Sequence, residues 1–345
     1  MTRMSADLPA TRSGDNPRRI VALGGGTGLP NVLRGLRLML NRGQLDDVIA
    51  VVAMTDDGGS SGRLRRTRGL PPPGDLRNCL VALAAEEDLM AKLFQHRYGG
   101  AEDLRGHTVG NLILAALAEQ TGCFLEAVEL SSRVLRVVGR ILPATLDTVS
   151  LEATMEDGST VVGETSIAAS GKEILRVALT PSPARPTPGV LQAIQEADIV
   201  VLGPGSLFTS VLPNLLVEGV VDALRRTPAV VVWVANLVSE PGETARLDAA
   251  DHLRIIEAHT GRCVDAVLVH QGPIDPEILA RYKAEGSAIL LWRDHCEDRL
   301  QIHRKNLVGP GPKFRHDPEA TAEGLIEIWR QLRSGPRDRR RKAMS

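Results

Sequence analysis

The chain has 345 residues, of which 43% are hydrophobic and 24% are charged, the usual balance of a soluble globular protein. Its formal net charge of -1 gives no global attraction to nucleic acid or to a membrane surface, so neither is expected as a partner. The four cysteines form no CxxC pair, which indicates reduced thiols, and no apolar run approaches the roughly 18 residues of a membrane span. We therefore expect a cytoplasmic protein without a membrane span.

Both ends of the chain are predicted to be disordered, whereas the region between them is predicted to fold as one domain. Residues 1–17 are polar and lack the apolar segment of a signal peptide, and residues 334–345 form a basic tail. Across residues 18–333, short apolar runs alternate with helical patterns, which is typical of a mostly parallel sheet covered by helices. The sequence therefore predicts a single three-layer α/β domain.

The first part of this domain is predicted to alternate strands and helices. The first strand covers residues 19–25 and precedes a glycine-rich loop and a helix at 30–40. The second strand, residues 48–55, is apolar without alternation, as expected for a strand buried on both faces. Further helices are predicted to start near Asp75 and Asn111.

The pattern changes at residues 147–180. Alternating apolar and polar residues flank Asp157 and Gly158, a dipeptide typical of a type I′ hairpin turn, so we predict an antiparallel insertion that contains a β-hairpin. Parallel strands are predicted to resume after it, again alternating with helices. These strands are expected within 198–202, 228–238 and 264–270, and the helices near 243–259, 276–285 and 318–333.

The residues after each strand are the candidate site, because parallel strands end at one edge of the sheet and open α/β proteins bind ligands there. The first strand is followed by the loop residues Gly25, Gly26, Thr27 and Gly28. Glycines let the backbone approach a phosphate closely, and the next helix offers free N–H groups at its N-terminus. The loop has neither the dinucleotide-binding nor the Walker pattern. Phosphate binding and a merely tight turn are the two interpretations.

The second strand is followed by two adjacent carboxylates. Asp56 or Asp57 stands where a classical nucleotide-binding fold has its ribose-binding acid, whereas the pair together could hold Mg²⁺ against a diphosphate. Both interpretations stay open, and no cofactor other than Mg²⁺ is suggested. The next residues are predicted to form an anion-binding nest of backbone N–H groups, the alternative being a mobile surface loop. These nest residues are Gly58, Gly59, Ser60 and Ser61.

Four further loops bring polar groups to the same edge. Asp75, with Asn78 beside it, either caps a helix or is an acid of the site. His107 and Asn111 stand at another helix start, and His107 is either structural or functional. The loops after the later strands add the candidates Gly203, Gly205, Ser206, Thr209, Asn214, Asn236, Glu243 and Thr244. So many polar or glycine-rich loops at one edge predict a ligand site.

Six motifs together resemble one family, the gluconeogenesis factors (YvcK type). The motifs are GGGTG, DDGGSSGRLR, PPGDLRNCL, GHTVGNL, LGPGSLFTS and NLVSEPGET, and the resemblance runs from about residue 19 to 316. It implies a Rossmann-like core, a distant relation to 2-phospho-L-lactate transferase, and a role in cell morphogenesis and cell-wall homeostasis under gluconeogenic growth. It also implies a protein partner in cell-wall regulation and a UDP-sugar ligand, chiefly UDP-N-acetylglucosamine. The contacts it implies are Thr27, Asp56, Asn214, Tyr282 and Arg315.

Three functions stay open at this point. They are a nucleotide-sugar-binding regulatory protein, a Mg²⁺-dependent phospholactate transferase that uses a nucleoside diphosphate donor, and an enzyme that acts on the nucleotide sugar itself. Aromatic residues make up only 3% of the chain, which leaves few to hold a deazaflavin ring, and no nucleophile stands paired with a base. Asp56, Asp57 and Asp75 could nevertheless position a metal. We expect the regulatory protein, and free sheet edges and helix faces would permit a homodimer.

Overall fold

The computed structural model describes residues 16–85, 89–100, 103–261, 263–292, 300–311 and 313–333. The predicted disordered tail at 334–345, and residues 1–15 of the predicted disordered N-terminus, lie outside the described residues. No single helix in these ranges has the length and apolar character of a membrane span. Two short helical pieces, 207–215 and 220–226, reach that length only together, and they are bent by 75° relative to each other.

A seven-stranded parallel sheet forms the centre of the described structure. Its strands stand in the order β10-β9-β8-β7-β1-β2-β3. The strands β2 and β3 lie on one side of β1, and β7 to β10 lie on the other side, with β7 directly beside β1. This reversal of strand order creates the crevice at which open α/β sheets bind ligands. The strands are β1 Arg19–Gly24, β2 Asp47–Val52, β3 Arg140–Pro143, β7 Ile199–Leu202, β8 Val230–Val234, β9 Ala266–His270 and β10 Gln301–Lys305.

Two hydrophobic cores lie on opposite faces of this sheet, because successive side chains of a strand point to opposite sides. In β1, Ile20 and Ala22 belong to one core, and Val21 and Leu23 belong to the other. Both faces are covered, which explains why β1 and β2 are continuously apolar. The first core is covered by α1 Gly28–Asn41, α3 Gly74–Leu83, α4 Leu89–Gln95, α5 Val109–Thr121, α6 Phe124–Val134 and α13 Pro318–Arg333.

The opposite face carries shorter helices and the predicted insertion. The helices there are α8 Val190–Glu196, a π-helical segment Leu207–Val211, α9 Leu212–Leu215, α10 Val220–Arg226 and α11 Ala249–Thr260. The insertion is a three-stranded antiparallel sheet with the order β5-β4-β6. It comprises β4 Ser150–Met155, β5 Thr160–Val162, α7 Glu164–Ala169 and β6 Ile174–Thr180. The remaining helices are α2 Gly59–Arg68 and α12 Pro276–Ala284. The predicted fold, a Rossmann-like α/β fold with a hairpin-bearing insertion, is confirmed.

The predicted type I′ turn of the insertion is wrong. Gly158 has a positive φ of 79°, but Asp157 is not among the residues with positive φ, and a type I′ turn needs both. The N–H of Gly158 donates to the carbonyl of Met155, and Oδ1 of Asp157 accepts hydrogen bonds from the N–H and the hydroxyl of Ser159. The Asp157 side chain therefore stabilises a longer loop in place of the two-residue turn.

Two helix starts also differ from prediction. The predicted nest after β2 is the first turn of α2, which begins at Gly59 with Gly58 in an extended conformation before it. The helix expected from residue 243 instead begins at Ala249, because Asp248 and Asp251 form a reciprocal capping box there. Thr244 lies in the turns before that helix.

Candidate functional site

The two glycine loops that follow β1 and β7 are in contact at the point where strand order reverses. A Cβ atom at Gly28 would lie 2.3 Å from the carbonyl oxygen of Pro204, so only glycine fits there. The N–H of Gly205 donates to Oδ1 of Asn236 over 2.9 Å, and Nδ2 of Asn236 donates back to the Gly205 carbonyl over 2.8 Å. Three of the predicted loops therefore form one continuous wall at the carboxyl edge of the sheet.

Asn214 holds the loop after β1 in place through buried hydrogen bonds. It is fully buried, and its Nδ2 donates to the carbonyl of Gly24 over 3.1 Å and to that of Ser210 over 2.8 Å. Its Oδ1 is buried without a hydrogen-bond partner. The side chain thus holds the end of β1 against the π-helical segment, which is a positioning role.

Asp75 is directed at the first glycine loop. The N–H of Gly26 donates to its Oδ2 over 2.7 Å, and a Cβ atom at Gly25 would lie 2.7 Å from the same oxygen. Asp75 is in the first turn of α3 and is not its N-cap residue, which is Pro73. Burial raises the pKa of Asp75 to about 6, and the negative charge of Asp56 adds to this shift, while the Gly26 N–H opposes it.

Asp56 and Asp57 point in different directions. Oδ1 of Asp56 accepts from the N–H of Gly58 over 2.9 Å, whereas Oδ1 of Asp57 accepts from the N–H of Thr165 over 2.9 Å and from its hydroxyl over 2.6 Å. Asp57 therefore ties the antiparallel insertion to the sheet by bonding to the start of α7. No three His, Cys, Asp or Glu side chains of the described residues are arranged to hold a metal ion. A Mg²⁺ site at these two carboxylates stays a prediction.

The start of α2 is joined to α3 and α5 by buried polar contacts. The N–H of Gly74 donates to Oγ of Ser61 over 3.0 Å. Oγ of Ser60 lies 2.9 Å from Nδ1 of His107 and accepts a hydrogen bond from Nδ2 of Asn111 over 3.0 Å. Burial and the nearby charge of Arg63 lower the pKa of His107, so its imidazole is neutral at pH 7. Three predicted loops meet in this cluster.

A group of carboxyl groups contacts the second glycine loop and the end of the second strand, outside the Asp75 contact. The hydroxyl of Ser206 donates to Oε2 of Glu243, and the hydroxyl of Thr55 lies 3.4 Å from Oε2 of Glu164. Burial, together with the charges of nearby acids, raises the pKa of Glu164 to about 9 and that of Glu240 to about 7. Burial also raises the pKa of Glu243. At pH 7, Glu164 is therefore a protonated, neutral hydrogen-bond donor.

A cavity of about 320 Å³ opens beside the first glycine loop, between α1, α3 and α4. The predicted residues Thr27, Asn78 and Arg315 all line it. Thr27 precedes α1 but its side chain makes no capping hydrogen bond, and α1 has no acidic residue in its first turn. Among the described residues, the lining contains three cationic side chains and no carboxylate; the cations are Arg34, Lys92 and Arg315.

Close relatives are known for this chain. It is 45% identical over 314 residues to the gluconeogenesis factor of Halalkalibacterium halodurans, an alignment that covers 90% of this chain and 96% of the relative. It is 40% identical over 329 residues to the gluconeogenesis factor of Bacillus subtilis, covering 92% and 100% of the two chains. The chain belongs to the gluconeogenesis factor family. The resemblance seen in the sequence is confirmed.

Two further comparisons, with a family model and with a solved structure, extend this result. A family model described as 2-phospho-L-lactate transferase CofD matches residues 20–308. A crystal structure of a protein from Bacillus halodurans superimposes with a TM-score of 0.86 at 41% identity, covering 90% of this chain and 99% of that one. The match to the CofD family model therefore spans most of the described residues, and the α/β fold is shared with that crystal structure.

Two remaining predicted residues, Tyr282 and Thr244, make contacts that stabilise the fold. Tyr282 is half-buried, and the centre of its ring lies 6.1 Å from the centre of the Phe314 ring. Phe314 directly precedes Arg315 in the chain. The buried Thr244 hydroxyl accepts a hydrogen bond from the N–H of Glu240 over 2.9 Å and so shapes the turn after β8. Sequence reasoning missed Glu164 and Glu240, and it also missed the buried Arg77.

Proposed function

We propose that this member of the family reversibly binds a uridine diphosphate sugar, chiefly UDP-N-acetylglucosamine, and regulates cell morphogenesis and cell-wall homeostasis during gluconeogenic growth. It would do so in the cytoplasm, through a protein partner. The observation that carries the proposal is the cavity in which Thr27, Asn78 and Arg315 come together beside the first glycine loop. Its volume lies at the lower end of the range of about 300–1,000 Å³ for small-molecule sites.

The charge of the cavity suits a diphosphate. Neither Lys92 nor Arg315 has an ion-pair partner in the part of the chain that the structure describes, so both cations can neutralise a ligand. The N-terminus of α1 adds N–H groups and a favourable dipole. Each charge-assisted hydrogen bond contributes roughly 1.5–3 kcal/mol. Four or five of them reach about −8 kcal/mol, which is micromolar affinity, after ordering costs.

The carboxyl groups on the other side of the loops do not oppose such a ligand. Since the pKa of Glu164 is raised to about 9, this group carries no charge at pH 7 and can donate a hydrogen bond. Glu243 accepts one from Ser206. Carboxyl groups of both kinds are suitable partners for the hydroxyl groups of a sugar. The sugar is therefore expected on the acidic side of the glycine loops and the diphosphate on the cationic side.

A Mg²⁺-dependent phosphoryl transfer is the second candidate function. The match to the CofD family model favours it, and so does the position of Asp56 and Asp75 near the glycine loop. In that reaction, Asp56 and Asp75 would position a metal that binds the diphosphate donor, and a carboxylate would accept the proton of the acceptor alcohol. The phosphoryl group would pass to the alcohol oxygen, and the nucleoside monophosphate would be the leaving group. No catalytic residue is assigned.

Isothermal titration calorimetry separates the two functions. UDP-N-acetylglucosamine is titrated with and without Mg²⁺, guanosine diphosphate is the comparison, and the recovered ligand is checked by mass. We expect saturable UDP-sugar binding and unchanged ligand. Thr27→Ala and Arg315→Ala are expected to weaken binding at least tenfold, whereas Arg226→Ala, an exposed arginine on α10, leaves it unchanged. Binding of guanosine diphosphate alone, and only with Mg²⁺, would overturn the proposal in favour of the transferase.

A further inference from the structure

Arg77, on α3, is a buried cation whose hydrogen-bond partners among the described residues are all neutral oxygens. Its side chain is 5% exposed. Its guanidinium donates to Oγ1 of Thr108 over 2.5 Å, to Oδ1 of Asn111 over 3.0 Å and to Oδ1 of Asn78 over 2.7 Å. It forms no ion pair with any described residue. A guanidinium has no acceptor atom, so each partner must turn an oxygen toward it.

The first consequence concerns Asn78, which lines the cavity. Because its Oδ1 is bonded to Arg77, the group it has left for a ligand is the Nδ2 amide, which only donates. With the opposite orientation, Asn78 would present a carbonyl oxygen, which repels an anion. Arg77 therefore decides which face of this amide a ligand meets.

The second consequence reaches His107 through two intermediate residues. Since Oδ1 of Asn111 accepts from Arg77, its Nδ2 must donate, and it does so to Oγ of Ser60 over 3.0 Å. Ser60 is 4% exposed, and the acceptor available for its single proton is Nδ1 of His107 at 2.9 Å. A buried hydroxyl without an acceptor would be costly, so Nδ1 accepts. The neutral imidazole then carries its proton on Nε2.

We propose that Arg77 is a positioning residue that fixes the orientation of the Asn78 amide, so that this amide offers N–H donors to an anionic ligand in the cavity, and that the same residue fixes the tautomer of His107. In each hydrogen bond of the series Arg77–Asn111–Ser60–His107, the residue nearer to Arg77 is the donor. The series begins at a charged guanidinium, which can only donate. The nature of the ligand rests on the proposed function. The orientation of the Asn78 amide and the tautomer of His107 do not, because they follow from hydrogen bonds within the chain.

The tautomer is tested by long-range ¹H–¹⁵N NMR of the full chain at pH 8, with the His107 signals identified by their loss in His107→Gln. We expect the wild type to carry its proton on Nε2. Asn111→Asp is nearly isosteric, but its second oxygen can only accept, so the Ser60 hydroxyl must turn and His107 must shift its proton to Nδ1. If the hydrogen bonds that lead from Arg77 through Asn111 and Ser60 only stabilised the fold, the tautomer of His107 would be the same in the variant. A wild-type proton on Nδ1, or an unchanged tautomer in Asn111→Asp, would overturn the proposal.

Calorimetry with UDP-N-acetylglucosamine tests whether the Asn78 amide donates to a ligand. Asn78→Asp replaces the donor by a second carboxylate oxygen, and we expect affinity to fall at least tenfold. The control is Asn41→Asp, which adds the same charge at the exposed far end of α1 and is expected to leave affinity within twofold of the wild type. Unchanged affinity in Asn78→Asp would overturn the positioning of a ligand donor. If the wild type binds no UDP-sugar but shows the Nε2 tautomer, the proposed ligand is wrong and the role of Arg77 is supported.

Discussion

Glu164 gives the sharpest prediction for this site, because its carboxyl group is held neutral by its surroundings. Burial raises its pKa from 4.5 to about 9, and the charges of Asp75 and Asp56 add to the shift. A carboxyl whose pKa is raised in the folded state stabilises the fold fully below pH 4.5, and this contribution is lost as the pH rises toward 9. Glu164→Gln keeps a neutral side chain at every pH. The variant should therefore lack the part of the pH dependence that Glu164 causes.

The magnitude follows from linkage. One group contributes at most about 1.4 kcal/mol per pH unit, so the limit between pH 6 and pH 8 is about 2.7 kcal/mol. Glu164 is only partly buried and shares its titration with neighbouring acids, so we expect about 1–2 kcal/mol. The unfolding free energy of Glu164→Gln minus that of the wild type should therefore be about 1–2 kcal/mol larger at pH 8 than at pH 6.

The assay is guanidinium chloride unfolding followed by circular dichroism at pH 5, 6, 7 and 8, with the free energy extrapolated to water. The control variant is Glu156→Gln, because Glu156 is exposed in the loop of the same insertion, and it should follow the wild type at every pH. Glu240 and Asp75 also titrate in this range but are unchanged in both variants, so their contributions cancel in the difference. A difference between wild type and Glu164→Gln that is equal at pH 6 and pH 8 would refute the reasoning.

Three further predictions concern packing, acid stability and the insertion. Gly28→Ala should lower the unfolding free energy by about 2–3 kcal/mol because its methyl group meets a backbone carbonyl, whereas Gly99→Ala, with open space around it, should be neutral in the same denaturant assay. His316 is buried and its pKa is lowered to about 4, so the contribution of this one group to stability should fall as the pH drops below 6.5. His316→Gln removes that contribution, so at pH 5 the variant should be more stable relative to the wild type than at pH 7 by about 1–2 kcal/mol, measured by urea unfolding. Asp57→Ala should cost about 1 kcal/mol of unfolding free energy, because Thr165 loses its acceptor at the start of α7.

The sequence predicted those parts of the site that local chemistry determines. Glycines after an apolar strand can be recognised within eight residues, and the structure brings Gly28 and Gly205 into adjoining loops. The order of strands around β1 could not be predicted, because a parallel strand gives the same apolar pattern wherever it stands in a sheet. The structure shows that β1 and β7 are neighbours, which makes these two loops a single wall.

Interactions over long sequence separations escaped prediction. Glu164 lies in an insertion with no glycine-rich motif. The residue after it, Thr165, bonds to Asp57, which is 108 positions earlier in the chain, and the insertion also packs on the sheet through buried residues such as Ile167. Arg77 stands among apolar residues of α3 and looks like one of many arginines in the sequence. Its burial and its neutral partners, which make it distinctive, exist only in the folded chain. The type I′ turn was wrong because the Asp157 side chain bonds locally, a competition that a two-residue motif does not reveal.

Cationic side chains and carboxyl groups occupy different parts of the site, and this arrangement limits the orientations in which a ligand could bind. Lys92 and Arg315 stand in the cavity on one side of the first glycine loop, while Glu164 and Glu243 stand on the other side. Asp75 bonds to the loop between them through the N–H of Gly26. The cations of the first side match the charge of a diphosphate, whereas the carboxyl groups of the second side match the hydroxyl groups of a sugar. A molecule that joins a diphosphate to a hydroxyl-rich ring matches both sides at once, which favours a nucleotide sugar over a simple nucleotide.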